Sequence, residues 1–246
     1  KMFLNLTTLT ELDISNNLLR QIDSFTFMYL INLKKLYLMR NQIRTIKRYS
    51  FYNLRNIVKI DFSFNKIEEI KEYHFNNLVN LQLLMLEGNR IINIDKNSFK
   101  NVPNLFRLDL ELNDISALKE NKFPFVIYLE EMFLSNNKIK YLPPNFFDNV
   151  QVSFLYLDKN HIKEINENVF FNRFDLRALN LSDNHIESIS SNFYNSNDTS
   201  FNEKSKLEIL DLRNNKIRNI YFISNQYLRK LMYLDLSYNF IEHINK

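Results

Sequence analysis

Acid–base and nucleophilic chemistry needs histidine, aspartate, serine or cysteine at particular spacings, and here the supply is narrow. Only four histidines occur, His74, His161, His185 and His243, and there is no cysteine. A thiol nucleophile, a disulfide and a thiolate zinc site are therefore excluded within these residues. One glycine, Gly88, leaves no glycine-rich loop to cradle a phosphate, and the zinc motif HExxH is absent. Asp13, Asp61, Asp109, Asp211 and Asp235 share one phase, each between two apolar residues, and read as a solvated position on well-separated strands. His161 and His185 both stand in Asn-His-Ile, 24 residues apart. On adjacent strands, about 4.8 Å apart, two imidazoles would sense pH near 6 by mutual repulsion. Lys66, Arg90, Lys138 and Lys216 fill the same slot elsewhere, which equally marks it as merely polar. No catalytic constellation emerges, so neither an enzyme nor a metal or cofactor is expected.

The element that positions these residues is a repeat. The pattern LxxLxLxxNxL begins at Leu9, Leu33, Ile57, Leu81, Leu105, Leu129, Val152, Leu176, Leu207 and Leu231. Spacings are 24 residues, except 23 before Val152 and 31 before Leu207. Two Leu two residues apart face one side of a short strand, so one strand per repeat stacks into a parallel sheet. Asn17, Asn41, Asn65, Asn89, Asn113, Asn137, Asn160, Asn184, Asn215 and Asn239 fill one slot in every copy. An inward amide there can satisfy loop backbone that lacks partners, and successive copies form a ladder. Phe27, Phe51, Phe75, Phe99, Phe123 and Phe147 recur at a second phase, each with an apolar residue three positions on, and predict an aromatic spine. With one Gly and four Pro among 246 residues, the turns fall to Asn, which tolerates left-handed backbone.

These motifs resemble the leucine-rich repeat family, in its typical 24-residue extracellular class, similar to Toll and Toll-like receptor and chaoptin-like ectodomains. The resemblance covers essentially the whole chain. It implies an α/β horseshoe solenoid of about ten repeats, with the parallel sheet on the concave face and an irregular or short-helical convex side. Residues 1–246 are read as a single domain. Phe3 and Leu6 match the spine of a preceding unit and Ile244 ends the tenth, so the expectation is an internal fragment, uncapped at both ends. Arg173 and Asn225 stand where the template wants an apolar residue and a Phe, so looser packing is expected there.

The strand LQLLML at 81–86 poses the functional question. If Leu84 and Leu86 point inward, Leu83 and Met85 point out, where a solvated face should be polar. The same parity exposes Tyr37, Met39, Phe133, Phe154 and Tyr156, with Phe64, Phe106 and Leu112 at strand margins and Arg107 and Asp109 interrupting the band. Such residues predict a concave-face contact for a protein partner or an apolar ligand. Net charge is +4, but residues 1–60 carry ten Lys/Arg against three Asp/Glu, and Lys35, Arg40 and Lys59 form a candidate anion-binding set. So mild an overall charge makes nucleic acid an unfavoured partner, while homo- or hetero-oligomers remain open.

The resemblance implies a non-catalytic recognition domain of an extracellular or membrane-anchored receptor or adhesion protein. The alternative is an intracellular or bacterial leucine-rich scaffold that mediates protein–protein interaction in the cytoplasm. Sequons at Asn5, Asn180 and Asn197 favour the first. No apolar run reaches the roughly 18 residues of a membrane helix, so any membrane attachment would come through flanking segments.

Overall fold

The computed structural model describes the chain except residues 1, 96, 119–127, 145, 146, 148, 149, 172, 174, 196–204, 245 and 246. The described residues form two compact units: residues up to Asp114 with 128–129, and residues 115–118 with those from Glu130 onward. The architecture is a parallel β-solenoid. In the first unit the strands Glu11–Asp13, Lys35–Tyr37, Lys59–Asp61, Leu83–Met85 and Arg107–Asp109 pair in chain order at a constant offset of 24. In the second, Gln151–Tyr156, Ala178–Asn180, Ile209–Asp211 and Tyr233–Asp235 pair in chain order at offsets of 24, 31 and 24. The 31-residue repeat keeps its register, Leu179 opposite Leu210, because the two inward apolar residues of each strand must meet their neighbours. Tyr128–Phe133 is the remaining strand of this kind.

Inward positions are closed to water: Leu36, Ile60, Leu84 and Leu108 in the first unit, Leu155, Leu179 and Leu210 in the second. Two-residue strands such as Gln21–Ile22 and Thr45–Ile46 pair along a further ridge. The spine is explicit in the first unit, where Phe27, Phe51, Phe75 and Phe99 stack with centroids 6.2, 5.8 and 6.3 Å apart and planes within 10°. Phe123 lies outside the described residues. In the second unit Phe147, Phe170, Phe193 and Phe222 continue a spine at 5.6, 6.3 and 6.1 Å.

The irregular or short-helical side expected between the strands consists, among the described residues, of turns and the 3-10 segments Tyr221–Ser224 and Gln226–Leu228. Single i→i+3 bonds such as Leu30 amide to Phe27 carbonyl close these segments without propagating. One expectation needs correction: Arg173 and Asn225 are not loosely held. The Arg173 guanidinium donates to the carbonyls of Phe147, Val150 and Phe171, and the Asn225 amide donates to those of Ser191 and Tyr194. Phe222, buried three residues earlier, supplies the ring that Asn225 lacks. Polar satisfaction replaces apolar filling at both places.

The Asn slot ties each repeat to the one before. Asn113 accepts from the Ile91 amide at 2.9 Å and donates to the carbonyls of Leu86, Leu110 and Glu111 at 2.9–3.1 Å. Asn41, Asn65, Asn89, Asn160, Asn184, Asn215 and Asn239 likewise accept from an amide of the preceding repeat and donate to carbonyls of both. Asn137 accepts from Ile115 and donates to Leu134 and Ser135, whereas Asn17 donates to Ile14 and Ser15. The residue just before each of these Asn has positive φ, from Asn16 at 56° to Tyr238 at 54°. That left-handed step turns the chain out of the strand and the amide inward.

Candidate functional site

The outer face of the first unit's sheet carries Tyr37, Met39, Leu83 and Met85, all half-buried, with Phe64, Phe106 and Leu112 exposed at its margins. Strand pairing sets the rows: Lys35, Lys59, Leu83 and Arg107 form one, and Tyr37, Asp61, Met85 and Asp109 the next. The apolar residues are less open than alternation alone suggests, because each is flanked across the strand by another side chain about 5 Å away. In the second unit the Phe133 and Tyr156 rings stack at 4.6 Å and 5°, and Phe154 stands half-buried beside the nearly closed Ala178. Phe133 and Phe154 therefore sit on one strand pair's neighbourhood in that unit, while Met85 belongs to the first.

Gly88 takes part through what it lacks. It holds φ +64° in the turn before Asn89, and a Cβ there would lie 2.5 Å from Cδ1 of Phe64. The Phe64 ring thus lies over the next repeat's glycine, with the Arg40 guanidinium 5.8 Å from its centroid. Gly88→Ala is expected to displace Phe64 and cost roughly 1–2 kcal/mol in left-handed strain, read as a lower denaturant midpoint.

Charge interrupts the apolar rows in pairs. Arg107 meets Asp109 at 3.4 Å, and Lys59 meets Asp61 at 3.9 Å with its ammonium 4.8 Å from the Tyr37 ring centroid. Burial pushes the Asp109 carboxyl up, against the pull of the Glu111 amide and Arg107. Glu87 is also pushed up, by burial first and then by repulsion from Asp109, Glu111 and Asp61. Of the candidate anion set, Lys35 is bound to Glu11 at 3.1 Å, which raises its pKa through the hydrogen bond and then the charge. Lys35 and Lys59 do sit opposite each other, and each already has a carboxylate. The His161 and His185 rings are exposed and stack at 5.6 Å, and Nδ1 of His185 pairs with the Asn184 carbonyl.

A family profile described as BspA type leucine rich repeat region, six copies, matches residues 44–177 and 92–228, and a leucine rich repeat profile matches residues 7–67. The chain belongs to the leucine-rich repeat family. No curated protein matches it by sequence. It is similar in fold to a chain of the Drosophila Toll–Spatzle complex, at 22% identity and TM-score 0.76, covering 96% of this chain and 36% of that one. A Leptospira interrogans leucine-rich repeat protein gives 23%, 0.75, 96% and 57%, and a chain of the TLR13–ssRNA13 complex gives 24%, 0.68, 96% and 29%. The chain thus spans between 29% and 57% of the length of these structures.

The repeat also explains the aspartates, and corrects the solvated reading at two of them, while Asp13 is exposed. Asp61 and Asp109 are 9% and 3% exposed. Each slot carboxylate accepts from the amide two residues on: Ser15, Ser63, Glu111, Arg213 and Ser237, at 2.9–3.1 Å. This Asx turn ends the strand, and at Asp13 and Asp235 the Ser15 and Ser237 bonds hold the carboxyl below its usual range. The signal was visible as Asp-x-Ser in three repeats. Asn180 occupies the same slot, so its sequon coincides with a structural motif. Its Oδ1 accepts from the Ser182 amide and hydroxyl, and its Nδ2 donates to Asp158 at 3.2 Å. Asn5 is exposed, and Asn197 lies outside the described residues.

Proposed function

We propose that this chain is a non-catalytic recognition domain that engages a protein partner, or an apolar surface of one, through the outer face of its sheet. The observation that carries this is Leu83 and Met85 beside the closed Leu84, with Tyr37 and Met39 one side and Phe106 the other. Water gains nothing from such a face, whereas a partner would bury it at about 25 cal/mol per Å², and Met adapts its shape to what it meets. Phe64 and Leu112 strengthen the reading. Both are bulky, both are at positive φ, and both remain over 40% or near it exposed, at 40% and 43%. Replacing Met85, Phe133 and Phe154 together by Ser is expected to leave the fold's circular dichroism unchanged and remove partner binding; unchanged affinity would overturn the proposal.

We further infer an extracellular or membrane-anchored receptor or adhesion protein of Toll-like kind, supported by the 24-residue repeat and the sequons. The intracellular or bacterial scaffold keeps support from the BspA type profile and the Leptospira structure. Mass spectrometry of chain secreted from eukaryotic cells separates them. Glycan is expected at Asn5 and Asn197, and little at Asn180, whose amide is already engaged. Bare Asn5 and Asn197 would favour the scaffold.

A further inference from the structure

The segments that carry the aromatic spine, not the sheet, line a cavity of about 370 Å³ in the first unit. That is within the range of small-molecule sites, roughly 300–1,000 Å³. Tyr49 and Tyr52 line it with rings 6.4 Å apart at 88°, and both rings are about half exposed. Phe25 braces this corner, stacked on Tyr49 at 5.5 Å and edge-on to Tyr52 at 5.6 Å. Arg48 and Arg55 also line it. Arg48 stands 4.8 Å over the Tyr49 ring, and among the described residues neither guanidinium has a carboxylate partner, unlike Lys35, Lys47 and Lys59.

We propose that this cavity binds a pyranose bearing a tetrahedral oxyanion, as a sulfated or phosphorylated sugar unit. Each element answers one part of such a ligand. Guanidinium forks match sulfate and phosphate oxygens in geometry and charge. Two rings at right angles make a corner for the C–H face of a puckered ring, whereas a flat nucleobase needs parallel walls or one open face. The anion site therefore falls on Arg48 and Arg55, away from the carboxylate-paired Lys35 and Lys59.

Calorimetric titration of the whole chain with glucosamine 6-sulfate, glucose 6-phosphate, glucose, inorganic sulfate and adenosine monophosphate tests this. The anionic sugars should bind, with glucose and sulfate each weaker by roughly tenfold or more; the tighter of the two sugars identifies the source of the oxyanion. Arg55→Gln and Arg48→Gln, both at exposed positions, should each weaken binding at least about tenfold. Lys35→Gln with Lys59→Gln should leave it unchanged. Sugar binding no tighter than sulfate, tighter binding of adenosine monophosphate, or insensitivity to Arg55→Gln would overturn the assignment.

Discussion

Asn113→Leu is expected to lower the unfolding free energy by about 1–3 kcal/mol, and toward the upper end. The side chain is nearly isosteric, so little volume changes. What disappears is an acceptor for the Ile91 amide and donors to Leu86, Leu110 and Glu111, two of these carbonyls being fully enclosed. Asn113 is 6% exposed, so water cannot replace it without opening the turn. The damage should be local, because each repeat touches only its neighbours. Hydrogen exchange should therefore accelerate at Ile91 and the 110–114 turn, with little change at Leu36 or Ile60. Wild-type stability in this variant would mean that the amide does not tie the repeats together.

Acidification is expected to destabilise the fold between about pH 6.5 and 4, through one buried imidazole. His74 is 6% exposed, and burial, helped by the Lys71 charge, pushes its pKa down to about 4 against the opposing pull of the Ile46 carbonyl and Asp95. Its Nδ1 accepts from the Lys71 amide at 3.2 Å, so the protein holds the neutral tautomer with its proton on the other nitrogen. A proton on Nδ1 would set two donors face to face. In the unfolded chain the group titrates near 6.5. Below that the unfolded chain takes up a proton that the folded chain refuses, so stability is full above pH 6.5 and falls until about pH 4. The loss integrates to about 3 kcal/mol. Ser50 and Ser98 fill the same slot in the neighbouring repeats, each Oγ bonding two backbone carbonyls. His74→Ser should accordingly flatten this part of the pH–stability curve, measured by denaturant midpoints at pH 7 and 4.5. An unaltered slope would place the acid sensitivity elsewhere.

Much of this was legible in the residues. Leu84 and Leu86 two apart define an inward face, and Asn89 three further on marks the turn, so sheet, register and inward amides follow from spacing. The spine could be read wherever Phe recurs every 24 residues. It failed at Phe222, where a 3-10 turn displaces the ring from the phase that Asn225 occupies. The Asp slot was misread at two strands because period-two alternation assigns a direction and not a depth: Asp61 and Asp109 point outward yet are buried, beside Lys59 and Arg107. The same limit applies to Leu83 and Met85, whose outward direction was clear and whose half-burial depends on cross-strand neighbours. His74 could be placed in a serine slot from sequence, but not known to be buried. Tyr49 and Tyr52 share one turn, and Phe25 of the preceding repeat joins their corner only after the coil closes.

In the proposed complex a partner covers the outer sheet face. Methionine oxidises readily, and the six here include half-buried Met39 and Met85 on that face and Met2 and Met232 off the proposed surface, 71% and 77% exposed. Hydroxyl-radical footprinting with and without a saturating partner reads them side by side. Oxidation of Met39 and Met85 should fall severalfold while Met2 and Met232 are unchanged. Undiminished oxidation of Met85 under full partner occupancy would contradict it.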